Sequence, residues 1–128
     1  MCDDTLKRGY HSELLAQAAL LSAGWDVSVP STPKPYDMVA ERPATGERMY
    51  VQVKTARRRS DRNGEIVVYA KKNSGKIYTL DDCTHFITVL DTDVYLFENR
   101  EISEYWSAAD AVDSKWERLS IAMGGTSV

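Results

Sequence analysis

Residues 48–55 alternate strictly between two kinds of side chain, and no other stretch constrains the fold as tightly. In an extended chain Met49, Val51 and Val53 fall on one side, and Tyr50, Gln52 and Lys54 on the other. That period predicts a strand with one face in a core. Further strands are expected at 25–29, 36–41, 65–70, 85–90 and 94–97. Turns are marked by Thr45-Gly46-Glu47, Asn73-Ser74-Gly75 and Asp91-Thr92-Asp93. Pro30, Pro33 and Pro35 impose an extended loop between the first two strands. The 7–23 segment has helical periodicity. Tyr10, Leu14, Gln17 and Leu21 form the apolar stripe, flanked by Ala18 and Leu20, and Gly24 is the stop. A second helical stretch is expected from about Ser103, through Tyr105, Trp106, Ala109 and Val112. Helix, strands, then helix predicts an α/β (α+β) domain with a mixed central sheet.

At 128 residues the chain is expected to form one domain. No apolar run approaches the roughly 20 residues of a membrane helix, so no membrane association is expected. The acidic start, Met1-Cys2-Asp3-Asp4, lacks the basic and apolar regions of a signal peptide. Cys2 and Cys83 have no further cysteines or clustered histidines, which predicts reduced thiols in a cytoplasmic compartment and no structural zinc.

The net charge of −3 conceals an uneven distribution. Residues 1–53 carry −2, residues 54–76 carry +6 and residues 77–128 carry −7. The central segment holds Lys54, Arg57, Arg58, Arg59, Arg62, Lys71, Lys72 and Lys76 against only Asp61 and Glu65. A basic strip in an acidic chain suggests one face for an anion; a solvated, ion-paired hairpin is the plain alternative.

Four polar residues stand out. Glu13 interrupts the apolar stripe of the first helix, where a carboxylate needs a cation or donor to offset its desolvation. Asp37 opens a strand after the proline-rich loop. Gln52 and Lys54 share one face of the alternating strand. Each alone is unremarkable. If the two strands are neighbours and the helix lies above them, two carboxylates and an amide oxygen form a hard-oxygen pocket suited to Mg²⁺. A lysine beside it can orient a water and neutralise charge on a phosphate oxygen. Those parts suffice to hydrolyse a phosphodiester.

Arg8-Gly9-Tyr10-His11-Ser12-Glu13, Tyr36-Asp37 and Val51-Gln52-Val53-Lys54-Thr55 carry a resemblance. They resemble the PD-(D/E)XK nuclease superfamily. The nearest branch is that of group I intron-encoded homing endonucleases, with archaeal Holliday junction resolvases next. Phe86-Ile87-Thr88-Val89 and Val94-Tyr95-Leu96-Phe97 resemble the hairpin that completes its sheet. The likeness spans about residues 7–98. It implies an αβββαβ core and a metal-dependent DNA endonuclease using Mg²⁺, with Mn²⁺ as an alternative. It further implies Asp37 as the central metal ligand, Glu13 as the helix carboxylate near the metal, and Lys54 as the catalytic lysine. Gln52 stands where most of the superfamily has Asp or Glu, a departure the intron-encoded branch shares. Pro35 lies two residues before Asp37 rather than adjacent to it.

On this reading Arg57, Arg58, Arg59 and Arg62, with Lys71 and Lys72, are candidate contacts to double-stranded or branched DNA. A homodimer or higher homo-oligomer is expected from the two strands of a duplex, with residues 99–128 as a helical extension and candidate oligomer contact. The competing expectations are an inactive nuclease-fold module that binds DNA or a protein, and an unrelated α+β module in which the four residues never meet.

Overall fold

The structure, a computed structural model, describes residues 4–123. Helix α1 (Asp4–Ser22) leads into β1 (Asp26–Ser28), β2 (Met38–Arg42) and β3 (Glu47–Thr55). Then come β4 (Arg57–Arg59), a 3-10 turn (Ser60–Arg62), β5 (Glu65–Tyr69), β6 (His85–Leu90) and β7 (Asp93–Glu98). The described chain closes with β8 (Glu104–Ser107), the short α2 (Val112–Lys115) and β9 (Glu117–Leu119). Six strands form one sheet in the order β1-β2-β3-β6-β7-β9, and β4-β5-β8 form a smaller antiparallel sheet. Within the larger sheet only β3 and β6 are parallel, with Gln52 opposite Phe86 and Lys54 opposite Thr88. The mixed sheet expected from the sequence is therefore present.

Strict alternation along β3 gives each face its own core. Met49, Val51 and Val53 join Ala16, Ala19, Leu20, Ile87 and Val89 beneath α1. On the opposite face Phe86 and Tyr95 pack with Ile66, Val68, Tyr105, Val112 and Trp116 of the smaller sheet and α2. The layers are thus helix, large sheet, small sheet.

Three expectations are corrected. The buried face of α1 is Ser12, Ala16, Ala19 and Leu20, while Tyr10 and Leu14 are 63% and 64% exposed. The real face lies two positions on from the expected stripe, roughly 200° around the helix axis. Small side chains at Ser12, Ala16 and Ala19 let the helix settle close to the sheet, and an apolar-stripe count gives such residues little weight. Second, no helix joins β3 to the parallel β6 among the described residues. A β4–β5 hairpin fills that place, closed by Asn63 and Gly64 with φ of 58° and 74°. Third, residues 104–119 are not a helical extension. Tyr105 pairs with Val68 in β8, Trp116 packs beside Phe97, and Leu119 pairs with Val94 in β9. The aromatic side chains there alternate between sides, as a strand requires. Tyr105, Trp116 and Leu119 are buried in the chain's own cores, whereas Ile102 and Trp106 are 41% and 45% exposed; residues 124–128 lie outside the described part.

Candidate active site

Asp37 sits just before β2 and extends its ladder with β3. Its N–H donates to the Val51 carbonyl at 2.8 Å, and its Oδ2 accepts from the Val53 N–H at 2.9 Å. The preceding prolines keep this stretch extended, so the carboxylate is aimed across β3 rather than into solvent. Glu13 descends from α1 onto the same spot. α1 is pinned there by Ser12, whose hydroxyl lies 2.9 Å from that of Thr55 at the end of β3. Glu13 and Asp37 are hydrogen-bonded to one another and line a cavity of about 340 Å³ with Thr5, Leu6, Gly9, Tyr10 and Val53.

Two carboxylates this close share a proton readily. Burial, the charge of Asp37 and the bond to it all push the Glu13 carboxyl above the usual carboxylate range. Burial also raises Asp37, opposed by the Val53 N–H, the bond from Glu13 and the Lys54 charge. Lys54, two residues beyond Gln52, therefore acts electrostatically on Asp37. Its ammonium lies 4.9 Å from the centre of the Tyr78 ring, a buried aromatic face that steadies a cation. Glu13 meets Asp37, and Lys54 acts on Asp37 from the adjoining groove.

Gln52 is half-buried on the Lys54 face of β3 but does not line the Glu13–Asp37 cavity. Among the described residues no group of three His, Cys, Asp or Glu surrounds a common point. A half-buried carboxylate pair, both members raised first by desolvation, is nevertheless a hard-oxygen donor set whose charge a divalent cation would offset, and it fits Mg²⁺.

The basic segment divides. Arg58 pairs with Asp91 at 3.4 Å, Arg59 with Asp61 at 2.6 Å, and Arg62 with Glu104 at 3.2 Å and with Glu65. Lys72 pairs with Asp82 at 2.7 Å, and Lys71 is exposed on a short bridge to Ile77. Only Arg57 joins Lys54 in lining a groove, together with Arg8 and Tyr69. The expectation for the segment missed both this division and Arg8. A helical wheel centred on Ser12, Ala16 and Ala19 instead of Tyr10 would have placed Arg8 on one flank of the packing face and Glu13 on the other.

No helix among the described residues is long and apolar enough to cross a membrane. Cys83 is a buried free thiol; Cys2 lies outside the described residues.

The sequence profile of the PD-(D/E)XK endonuclease family matches residues 3–121. No curated protein matches the chain. Among solved structures, the chain is similar to that of a bacterial homing endonuclease, I-Ssp6803I. The TM-score is 0.68 at 21% identity, covering 83% of this chain and 79% of that one. The likeness extends the expected restriction-endonuclease-like fold, with its mixed sheet, to this chain. With nearly its whole length matched, the chain belongs to the PD-(D/E)XK endonuclease family.

Proposed function

We propose that the protein is a divalent-metal-dependent DNA endonuclease in which Glu13 and Asp37 hold the ion; Gln52, outside their cavity, is not assigned to it. The observation that carries this reading is the hydrogen-bonded Glu13–Asp37 pair within the field of Lys54. Bound Mg²⁺, or Mn²⁺ in its place, supplies Lewis acidity toward the scissile phosphate. Asp37, fixed by the Val53 N–H, sets the position of the site relative to β3. Lys54 directs its N–H groups at the attacking water and at the charge gathering on the phosphate oxygens. The Tyr78 ring faces the lysine ammonium, and Tyr69 lines the groove that Lys54 enters. Two copies of the chain would serve the two strands of a duplex. A cytoplasmic setting, in the cell or in the host of a mobile element, agrees with a reduced Cys83.

The test is incubation of the protein with plasmid, linear and four-way-junction DNA in Mg²⁺ or Mn²⁺, alongside Lys54→Ala and Asp37→Ala. Each substitution is expected to lower cleavage by roughly 100-fold or more. Cleavage that survives both refutes the site. Junction-selective cutting indicates a resolvase, and cutting at one linear sequence a homing enzyme.

A second reading is favoured by the neutral Gln52 and the lack of a third acid at the pair. On that reading the chain is a nuclease-fold module that binds DNA or a protein without cutting. DNA binding with no cleavage in either metal selects it.

A further inference from the structure

The groove lined by Arg8, Lys54 and Arg57 has a volume of about 680 Å³, with Thr5, Gly9, Val53, Thr55 and Tyr69 completing its walls. Three cations and no carboxylate line it. It shares Thr5, Gly9 and Val53 with the cavity at Glu13 and Asp37. The two depressions are therefore one channel, acidic at one end and cationic at the other.

Two observations set the cationic end apart from an ordinary solvated surface. The first is the pairing pattern. Arg58, Arg59 and Arg62 are each held by a carboxylate, whereas among the described residues no ion pair engages Arg8 or Arg57. Arg57 instead lies 5.9 Å from the Tyr69 ring centre, on the groove wall. The second is Gly9, inside α1, where glycine weakens a helix. A Cβ at Gly9 would meet nothing within 4 Å, so packing does not require glycine there. What glycine does is keep the floor low where the two ends of the channel join.

We propose that Arg8 and Arg57 form a phosphate subsite that holds a backbone phosphodiester beside the one under attack, the strand running over Gly9. Arg8 is the part of this subsite that comes from the helix, so the nucleic acid bridges α1 and β4. The inference rests on the endonuclease reading. A guanidinium suits the role because it binds two phosphate oxygens at once and never loses its charge. Each contact releases about one condensed counterion, which gives the subsite a measurable signature.

The experiment measures binding of a fluorescein-labelled mixed-sequence duplex by polarisation, without divalent metal, across a salt series. The wild type is compared with Arg8→Ala, Arg57→Ala and Arg118→Ala. Arg8→Ala and Arg57→Ala are each expected to weaken binding roughly tenfold and to reduce the slope of log affinity against log salt by about 0.9. Arg118→Ala, which loses an arginine paired with Asp93 on the edge strand β9, should follow the wild type. Arg8→Lys should restore the slope without full affinity, which a folding defect would not do. If both alanine variants keep the wild-type affinity and slope while wild-type protein still cuts DNA, the subsite is wrong and the endonuclease reading stands. If the wild type neither binds nor cuts duplex, both fall.

Discussion

The Glu13–Asp37 pair governs how the site responds to pH. Both carboxyls are pushed above the usual carboxylate range, chiefly by burial, so the fold favours their protonated form. Their contribution to stability is complete below the unfolded carboxylate pKa and is lost as pH rises through the elevated folded values. Metal-free Glu13→Gln is therefore expected to melt above the wild type at neutral pH, the difference closing in acid. A variant that melts below the wild type at neutral pH contradicts the repulsion. On the proposed metal-bound reading a divalent cation would compete with protons for the pair, so metal-induced stabilisation should fade as pH falls and be reduced in Glu13→Gln. Burial acts in the same direction on Cys83. Its thiol is pushed up to about 12, first by desolvation, and Asn99 donates to its sulfur at 3.7 Å. Iodoacetamide should leave Cys83 unmodified in native protein and label it once the protein is unfolded, read by peptide mass spectrometry.

At the scale of elements, α1 carries both a packing face and a chemical face. Leu20 is fully buried beneath it, whereas Leu14 is 64% exposed. Leu20→Ala should cost about 2–5 kcal/mol in denaturant unfolding, and Leu14→Ala should stay within about 0.5 kcal/mol. Equal costs would mean that the helix is rotated from its position here. The β3 strand was legible because a period of two leaves no choice of face, and with it the shared face of Gln52 and Lys54. The first helix was legible too, but its packing face was not, since Ser12, Ala16 and Ala19 carry little hydrophobic signal but allow the closest approach. Glu13 was nonetheless identified, because it interrupts an apolar pattern whichever stripe is chosen.

For the molecule as a whole, the second core is what residues 99–119 complete. Phe97 stacks on Trp116 at 5.0 Å and meets Tyr105 at 4.7 Å, joining the two sheets. Tyr95 donates to Asp113 at 2.8 Å from the same layer. Trp116→Ala should cost about 3–5 kcal/mol, and a chain ending at Asn99 should lose its cooperative thermal transition. A stable, cooperatively melting truncation would return the segment to the status of an appendage. The smaller sheet also accounts for the ion pairs of Arg59 and Arg62, which are held against the hairpin and β8 rather than turned to a ligand.

Sequence alone determined the mixed sheet, the alternating strand and the order of Glu13, Asp37, Gln52 and Lys54, because each depends on local periodicity or on residue type. It could not determine which face of α1 meets the sheet, or that a hairpin replaces a crossover helix. Nor could it separate Arg57 from its paired neighbours. Those outcomes depend on contacts between residues far apart in the chain. Arg58 and Asp91, or Arg62 and Glu104, become partners only after folding, and their pairing leaves Arg8 and Arg57 as the groove's cations beside Lys54.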